Sequence, residues 1–459
     1  MIAAKLKDIF KSFLQKLIIT FQLYGENGLA NHAAACAYGF LFSMAPMLLL
    51  TVIFIFYVFK PSPQAIISLV SNIPLMENIF DEQWLTSDLF SMTSMPGISG
   101  ILSVLGILWA ARILALSMKR GLLAVFSSAK YRNPVINTLV TVILETGVLI
   151  FILIVIVSSR TARNFLLLLD FMPQSPLLSI AASQNGRDII NFILMGLAAF
   201  IIYYYVPAVS VRKFPAFMGA LLFIITSFFT AEFLDFLVNT SRISFLYGAL
   251  ENIILLLVNV YFFFTFFFLG AQFAYVIDSF DALLFSKLRQ VKKGADSPTS
   301  GTDKQLRRMN LLYKLCFPVD GSLKKYLRKF KKNDIIITQG DTGDDIYYLV
   351  EGEVEILFET KSDIKSADNM SENGESGVTI NSAGILSTGS FFGEMGYLLS
   401  EDRSATVIAR TDVVVFSLPP SLFDTIIRHD TDLDIEIIEH MTRRLKNTTQ
   451  QIIAIKSKI

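Results

Sequence analysis

Apolar and polar positions alternate in two different ways along this chain. From Ala33 to Phe59, 27 positions pass without a charged residue, and about 20 mostly apolar residues suffice to span a bilayer. Five further apolar windows follow, near 98–118, 138–157, 189–209, 214–237 and 253–277. The last holds the aromatic run from Tyr261 to Leu269, a composition with no realistic soluble reading. Windows four and five are separated by Val211, Arg212, Lys213 and Phe214, with Pro207 and Pro215 on either side. The residue before a proline is pushed away from helical geometry, so this stretch predicts a tight helical hairpin. Ahead of the first window, Ile2, Leu6, Ile9, Phe10, Phe13, Leu14, Leu17, Ile18 and Phe21 form one helical stripe, with Lys5, Lys7, Lys11 and Lys16 off it. Residues 1–24 therefore predict an amphipathic helix lying in the membrane interface. A helix packed on the cytoplasmic domain is the alternative.

After Leu323 the period changes from helical to strand-like. Asp334–Asp341 reads as a strand and turn, and Asp344–Phe358 as two strands meeting at Glu351 and Gly352. Residues 361–377 are polar and predict a hairpin extension, and Val407–Leu418 is a further strand region. Helical spacing returns over Asp432–Ile455, through Ile437, Ile438, Met441, Leu445, Ile452 and Ile453.

Composition sharpens this division. The 459 residues are 53% hydrophobic and 17% charged, against about 25% charged in typical soluble domains. Before residue 291 only 32 of 290 residues are charged; from 291 on, 47 of 169 are. The domains expected are the helix of 1–24, a six-span membrane region over 25–290, a Gly/Ser/Pro-bearing linker at 291–304 and a soluble domain at 305–459. Six spans put both ends of this region on one side. With that side cytoplasmic, the inner segments carry 14 Lys/Arg and the outer loops 5, as the positive-inside bias requires. The net charge of +1 gives no global case for nucleic-acid binding. Two cysteines and three histidines exclude a disulfide scaffold and leave little for a metal site, so no metal is expected.

Within the membrane half, Arg112, Glu145, Glu232 and Asp235 fall in or near apolar windows. An ionisable group at bilayer depth costs at least a few kcal/mol, so Glu145 and Glu232 are candidates for an intramembrane polar pathway. Snorkelling to the interface is the other reading. In the soluble half the informative stretch is Gly389–Val407. A glycine turn opens a short helix, Glu394 offers a carboxylate for a hydroxyl, and nine residues later Arg403 offers a guanidinium for a phosphate. Ser404 and Ala405 add amides beside small side chains. A carboxylate beside a phosphate site makes sense only for a ligand that also carries hydroxyls, such as a sugar phosphate or nucleotide.

Two family resemblances follow from these residues. Ala33–Pro46, Trp109–Arg112, Tyr205–Pro207, Gly219–Ala220, Tyr247–Ala249 and Leu269–Phe273 are similar, in order, to patches of the YihY/BrkB family of bacterial inner-membrane proteins. Members of that family carry an older ribonuclease label, which the residues here do not support. Phe392-Gly393-Glu394-Met395 and Arg403-Ser404-Ala405-Thr406-Val407 resemble the phosphate-binding cassette of cyclic-nucleotide-binding domains, and the likeness extends over about 315–455. That resemblance implies an α+β domain with a β-roll or jelly-roll and flanking helices, which follows the all-α polytopic bundle of about six transmembrane helices that the apolar windows predict. It implies a cyclic nucleotide bound by Gly393, Glu394, Met395, Arg403, Ser404 and Ala405. Glu394 would take the ribose 2′-hydroxyl, Arg403 the phosphate, and the helix from Asp432 would cover the base. Asp402 departs from the proline common before the arginine, and Ser404 leans toward cAMP over cGMP.

The expected protein is thus a non-enzymatic inner-membrane protein with both termini cytoplasmic. Its partners would be the bilayer and a cyclic nucleotide, not nucleic acid, with room for a homo-oligomer. Its span module would move a solute or lipid under nucleotide control. A membrane-tethered signalling adaptor is the alternative, and a ribonuclease is the least supported.

Overall fold

In the bilayer a backbone must satisfy its own hydrogen bonds, and helices do so within one segment. The computed structural model describes residues 2–42, 98–126, 138, 184–207, 211–240, 250–296, 322–361 and 378–429, with residues 433, 435, 437–439, 441–442 and 446 beyond them. They fall into two compact units, Lys16–Asp278 and Ser279–Ile459, the latter together with Met1–Gln15.

The first unit is helical. Helix α1 (Ile2–Glu26), whose residues up to Gln15 group with the second unit, ends at a turn where Gly28 adopts φ 60°, and residues 29–42 form a separate helical stretch. Helices α2 (Ile98–Val125), α3 (Gln184–Tyr205), α4 (Lys213–Thr240) and α5 (Leu250–Asp278) follow. Phe192 meets Phe228 with ring centroids 5.7 Å apart, and Gly196 abuts Ile224. One index rises by four as the other falls by four, so α3 and α4 form an antiparallel hairpin. Segments Lys213–Thr230 and Leu256–Asp278 are long and apolar enough to cross a membrane, and Asn191–Tyr205 is a shorter apolar helix. The expected windows at 98–118, 189–209, 214–237 and 253–277 coincide with α2 to α5. Residues 43–59 and 139–157 lie outside the described residues, as does Glu145.

Helices α4 and α5 touch backbone to backbone. A Cβ added at Gly219 would collide with the Gly270 carbonyl oxygen, and one at Gly270 would sit 2.7 Å from the Gly219 oxygen. Small residues at such crossings let helices approach where no hydrophobic drive separates lipid from protein. Beside the crossing, the buried Tyr203 hydroxyl donates to the Phe267 carbonyl at 2.6 Å. On α2, Gly121 leaves room for the Phe268 ring. At the end of α5, Arg212 Nε donates to Asp278 Oδ1 at 2.7 Å and Arg212 Nη2 to the Asp278 carbonyl at 2.9 Å. A cation on the last carbonyls of a helix complements its dipole.

The second unit opens with α6 (Phe280–Asp296), which extends through the first residues of the expected linker. A 3-10 turn (Ser322–Tyr326) precedes β1 (Leu327–Phe330) and β2 (Ile335–Ile337). Then come β3 (Ile346–Glu351), β4 (Glu353–Lys361), β5 (Val378–Ser387), β6 (Phe391–Phe392), α7 (Glu394–Leu399), β7 (Thr406–Ala409), β8 (Val413–Leu418) and α8 (Pro420–His429). Two antiparallel four-stranded sheets result, in the orders β1-β8-β3-β6 and β2-β7-β4-β5. Their facing sides bury Ile337, Leu349, Val354, Phe392, Val407, Ala409, Val413 and Val415. Such alternation of inward apolar residues is what a sheet with one buried face needs. The β3–β4 junction falls at Gly352, whose φ of 95° few other residues tolerate. Phe285 of α6 makes edge contacts with Tyr348 at 5.3 Å and Phe416 at 5.5 Å, seating α6 on the first sheet. Asp281, near its start, accepts from Lys325 Nζ at 2.7 Å and the Tyr326 hydroxyl at 3.1 Å. Most of residues 430–459 lie outside the description; among the described positions there, Leu433 and Ile437 are buried and Ile435 and Ile438 exposed.

Candidate functional site: the cassette from Gly389 to Thr406

The site grows out of a short strand. Gly389, at φ 95°, turns the chain so that its N–H meets the Leu349 carbonyl at 2.8 Å, and Leu349 N–H returns to Ser390 at 2.9 Å. This registers β6 against β3, and Tyr347 stacks on Phe392 at 5.2 Å between ring centroids. Gly393 follows at φ 79° and caps α7. Ser400, also left-handed, ends that helix, and the Glu401 N–H closes on the Gly396 carbonyl at 3.0 Å.

The chain then returns past its own start. Arg403 N–H donates to the Asp341 carbonyl at 3.0 Å, Gly340 N–H to the Arg403 carbonyl at 2.8 Å, and Gln339 N–H to Thr406 Oγ1 at 3.0 Å. These three bonds stitch the β2–β3 turn to the segment 403–406.

Two ionisable side chains are buried here, Glu394 at 3% exposure and Arg403 at 6%. Arg403 Nη1 donates to the Gly393 carbonyl at 2.6 Å and Nη2 to the Asp345 carbonyl at 2.7 Å. Asp345 is itself fixed, since its Oδ2 accepts from Ser417 Oγ at 2.7 Å. Among the described residues, two of the five guanidinium N–H groups are thus on backbone oxygens. Glycine is needed at 393 twice over. Its φ is positive, and a Cβ there would lie 2.9 Å from Arg403 Nη1 and 3.1 Å from Ile337 Cδ1. Because Gly393 holds Arg403 and immediately precedes Glu394, one residue sets the positions of both charges.

The structure places Arg403 on Gly393, with Glu394, Arg403 and Ala405 buried, Gly393 and Met395 partly buried and Ser404 exposed. Asp402 is also exposed. Glu232 lies on α4, without a described side chain, and Glu145 is outside the description. Sequence reasoning missed the carbonyl acceptors of Gly393 and Asp345, which no side-chain pattern announces. It missed Tyr397 as well. The Tyr397 hydroxyl donates to Asp424 Oδ1 at 2.6 Å and ties α7 to α8. That bond, with partial burial, pushes the Tyr397 pKa up to about 12. Among the described residues no cluster of three His, Cys, Asp or Glu could hold a metal.

Comparison with known proteins assigns both regions. The family model "Virulence factor BrkB" matches residues 20–290, and the model "Cyclic nucleotide-binding domain" matches 327–430. The cAMP-activated global transcriptional regulator CRP of Salmonella typhimurium is 26% identical over 128 residues, 28% of this chain and 54% of that protein. A cAMP-dependent protein kinase regulatory subunit of Yarrowia lipolytica is 33% identical over 122 residues, 27% of each chain. The crystal structure of the Thermus thermophilus catabolite activator protein overlays with a TM-score of 0.24 at 20% identity, covering 29% of this chain and 57% of that one. The chain spans about half the length of the first of these relatives. With the first model covering more than half of its residues, the chain belongs to the Virulence factor BrkB family and is a membrane protein of that family carrying a cyclic nucleotide-binding domain.

Proposed function

We propose that this protein is a multi-pass inner-membrane protein whose span bundle is regulated by a cyclic nucleotide, cAMP in preference to cGMP, and that it acts without catalysis. The observation that carries the reading is the shared position of the two buried charges. Arg403 is held by the carbonyl of Gly393, the residue next to Glu394. A phosphate would take the guanidinium donors left over, and the Glu394 carboxylate would accept from a ribose hydroxyl. The lean to cAMP is supported by Ser404 and by the similarity to the cAMP-activated regulator of Salmonella typhimurium and the cAMP-dependent kinase subunit of Yarrowia lipolytica. Six spans with a cytoplasmic sensor are supported by the apolar windows and by the 14-to-5 Lys/Arg bias. The regulated activity is movement of a solute or lipid through the bundle.

Titration calorimetry on the full chain in lipid nanodiscs tests the ligand: cAMP should bind more tightly than cGMP. Tighter cGMP binding reverses the preference, and no binding of either refutes the sensor. Solute and lipid-scrambling flux in proteoliposomes, with and without nucleotide, tests the activity. Binding without any flux would favour the signalling adaptor.

A further inference from the structure

Helix α1 carries an exposed apolar stripe that the cyclic-nucleotide reading does not use. Phe10 is 67% exposed, and Phe13, Leu14 and Phe21 are exposed with it. At about 100° per residue these four share one side of the helix, with Leu17 between them. Gln15 and Ile19 lie on the opposite side and are buried. The helix thus packs on the protein by one face and presents the other outward.

By helical position Lys7 and Lys11 follow the exposed stripe on one flank and Lys16 on the other, with Lys5 further round on the Lys16 side. Asp8 falls opposite the stripe. The stripes on α3 and α4 differ. Ile193, Leu197 and Ile201, or Phe217, Leu221 and Ile225, are exposed with no lysine or arginine interleaved. Unflanked apolar faces suit the bilayer interior, whereas an apolar face bounded by cations on both sides suits the headgroup layer.

The chain also breaks before the first apolar window. Asn27 N–H closes on Leu23 at 2.9 Å, Gly28 N–H on Gly25 at 3.1 Å, and Gly28 turns left-handed. Helix α1 is therefore separate from the helical stretch that starts at residue 29.

We infer that α1 is an anionic-lipid-binding helix lying in the plane of the cytoplasmic headgroup layer, with Phe10, Phe13, Leu14 and Phe21 inserted among acyl chains and Lys5, Lys7, Lys11 and Lys16 on lipid phosphates. This rests on the reading of the chain as a membrane protein with a cytoplasmic N-terminal side. Anionic lipids of that leaflet attract polybasic segments, and the attraction adds to the apolar insertion.

The test uses the full chain in nanodiscs, with Cys36 and Cys316 changed to alanine and single nitroxides at 10, 14 and 21. A label at Leu197 on α3 serves as the bilayer control, and one at Glu26 as the water control. At 10, 14 and 21, collisions with oxygen should exceed those with a water-soluble nickel complex several-fold. The three depths should agree, and all should be shallower than Leu197. Replacing the four lysines with glutamine should reduce that excess several-fold in phosphatidylglycerol discs and leave it unchanged in phosphatidylcholine discs. Water-like collisions at 10, 14 and 21 with a lipid signal at Leu197 would overturn the inference and leave the membrane reading standing. A water signal at Leu197 too would instead sink the membrane reading itself. Depth that increases steadily from 10 to 21 means a spanning helix, and spin–spin broadening between copies means a protein–protein face; either overturns the inference. Indifference to the lysine changes in anionic discs refutes the lipid-charge recognition.

Discussion

The two units solve opposite problems. In the helical unit the large apolar side chains Ile189, Ile193, Leu197, Ile201 and Tyr205 recur every four residues along α3 and are all exposed. In the sheet unit the apolar residues face inward, and a carboxylate and a guanidinium are buried among them. A solvent-exposed stripe of that length would be a liability in water and is the proper surface in hydrocarbon. Buried charge is costly in either medium unless it is bonded or serves a ligand. The glycines follow the same division. Gly219 and Gly270 let two helix backbones meet, whereas Gly393 clears space for one side chain. The same residue type builds packing in one unit and a site in the other.

The sharpest way to break the comparison is at the helix crossing. Gly219→Val should cost about 3 kcal/mol or more, because the new side chain meets the Gly270 backbone and not a movable side chain. Thermal unfolding of the purified protein in detergent reads the loss, and a variant as stable as the parent would disprove the close crossing. Next comes Arg403→Ala. It should weaken cAMP by about 2–4 kcal/mol, on the order of 30- to 1000-fold, while the fold survives. Calorimetry and circular dichroism together separate the two effects.

Ile193→Arg discriminates lipid from water on α3. A mid-helix arginine facing hydrocarbon costs about 2.5–3.5 kcal/mol of insertion, whereas on a water-facing surface the change stays within about 0.5 kcal/mol. An insertion assay of the hairpin in microsomes or cells distinguishes these values. Glu394→Ala should cost about 1–3 kcal/mol of cAMP affinity. It should also shrink the preference over the 2′-deoxy nucleotide, which Arg403→Ala should leave intact. Persistence of that preference would move the ribose contact elsewhere.

The smallest effect is at Tyr397. Its pKa is raised above the ordinary phenol value, mainly by its bond to Asp424. The neutral hydroxyl is therefore favoured by folding. The stabilisation is fully present below about pH 10 and is lost as pH rises toward about 12. Tyr397→Phe should lower stability by only about 0.5–1 kcal/mol, because the hydrogen bond is only partly buried, and should flatten the alkaline end of a Tm-versus-pH curve.

Much of this was legible in the residues. The Gly393–Glu394 and Arg403–Thr406 spacing located the cassette because it sets a carboxylate and a guanidinium nine residues apart, and the structure buries both. The junction at Gly352 was legible because a glycine between two alternating runs has few other uses. The acceptors at Gly393 and Asp345 were not, since backbone oxygens are common to every residue. Helix α6 was overlooked for a different reason. Its Phe280, Leu283, Leu284 and Phe285 fall inside the 25–290 region expected to be membrane, yet they are buried and Phe285 packs on β3 and β8. Ile437 and Ile438 both entered the helical spacing of 432–455, and of the two only the first is buried. Adjacent residues on a helix point 100° apart.

The two carbonyls that hold Arg403 have a consequence in time. Because the Gly393 and Asp345 carbonyls each accept from its guanidinium, the orientation of the arginine is set by backbone groups of the fold. Nucleotides that present the same cyclic phosphate should then associate at similar rates and differ in how long they remain. A sensor built on that arrangement sorts its ligands by residence and not by arrival, and the membrane unit would experience nucleotide identity as the duration of each bound interval.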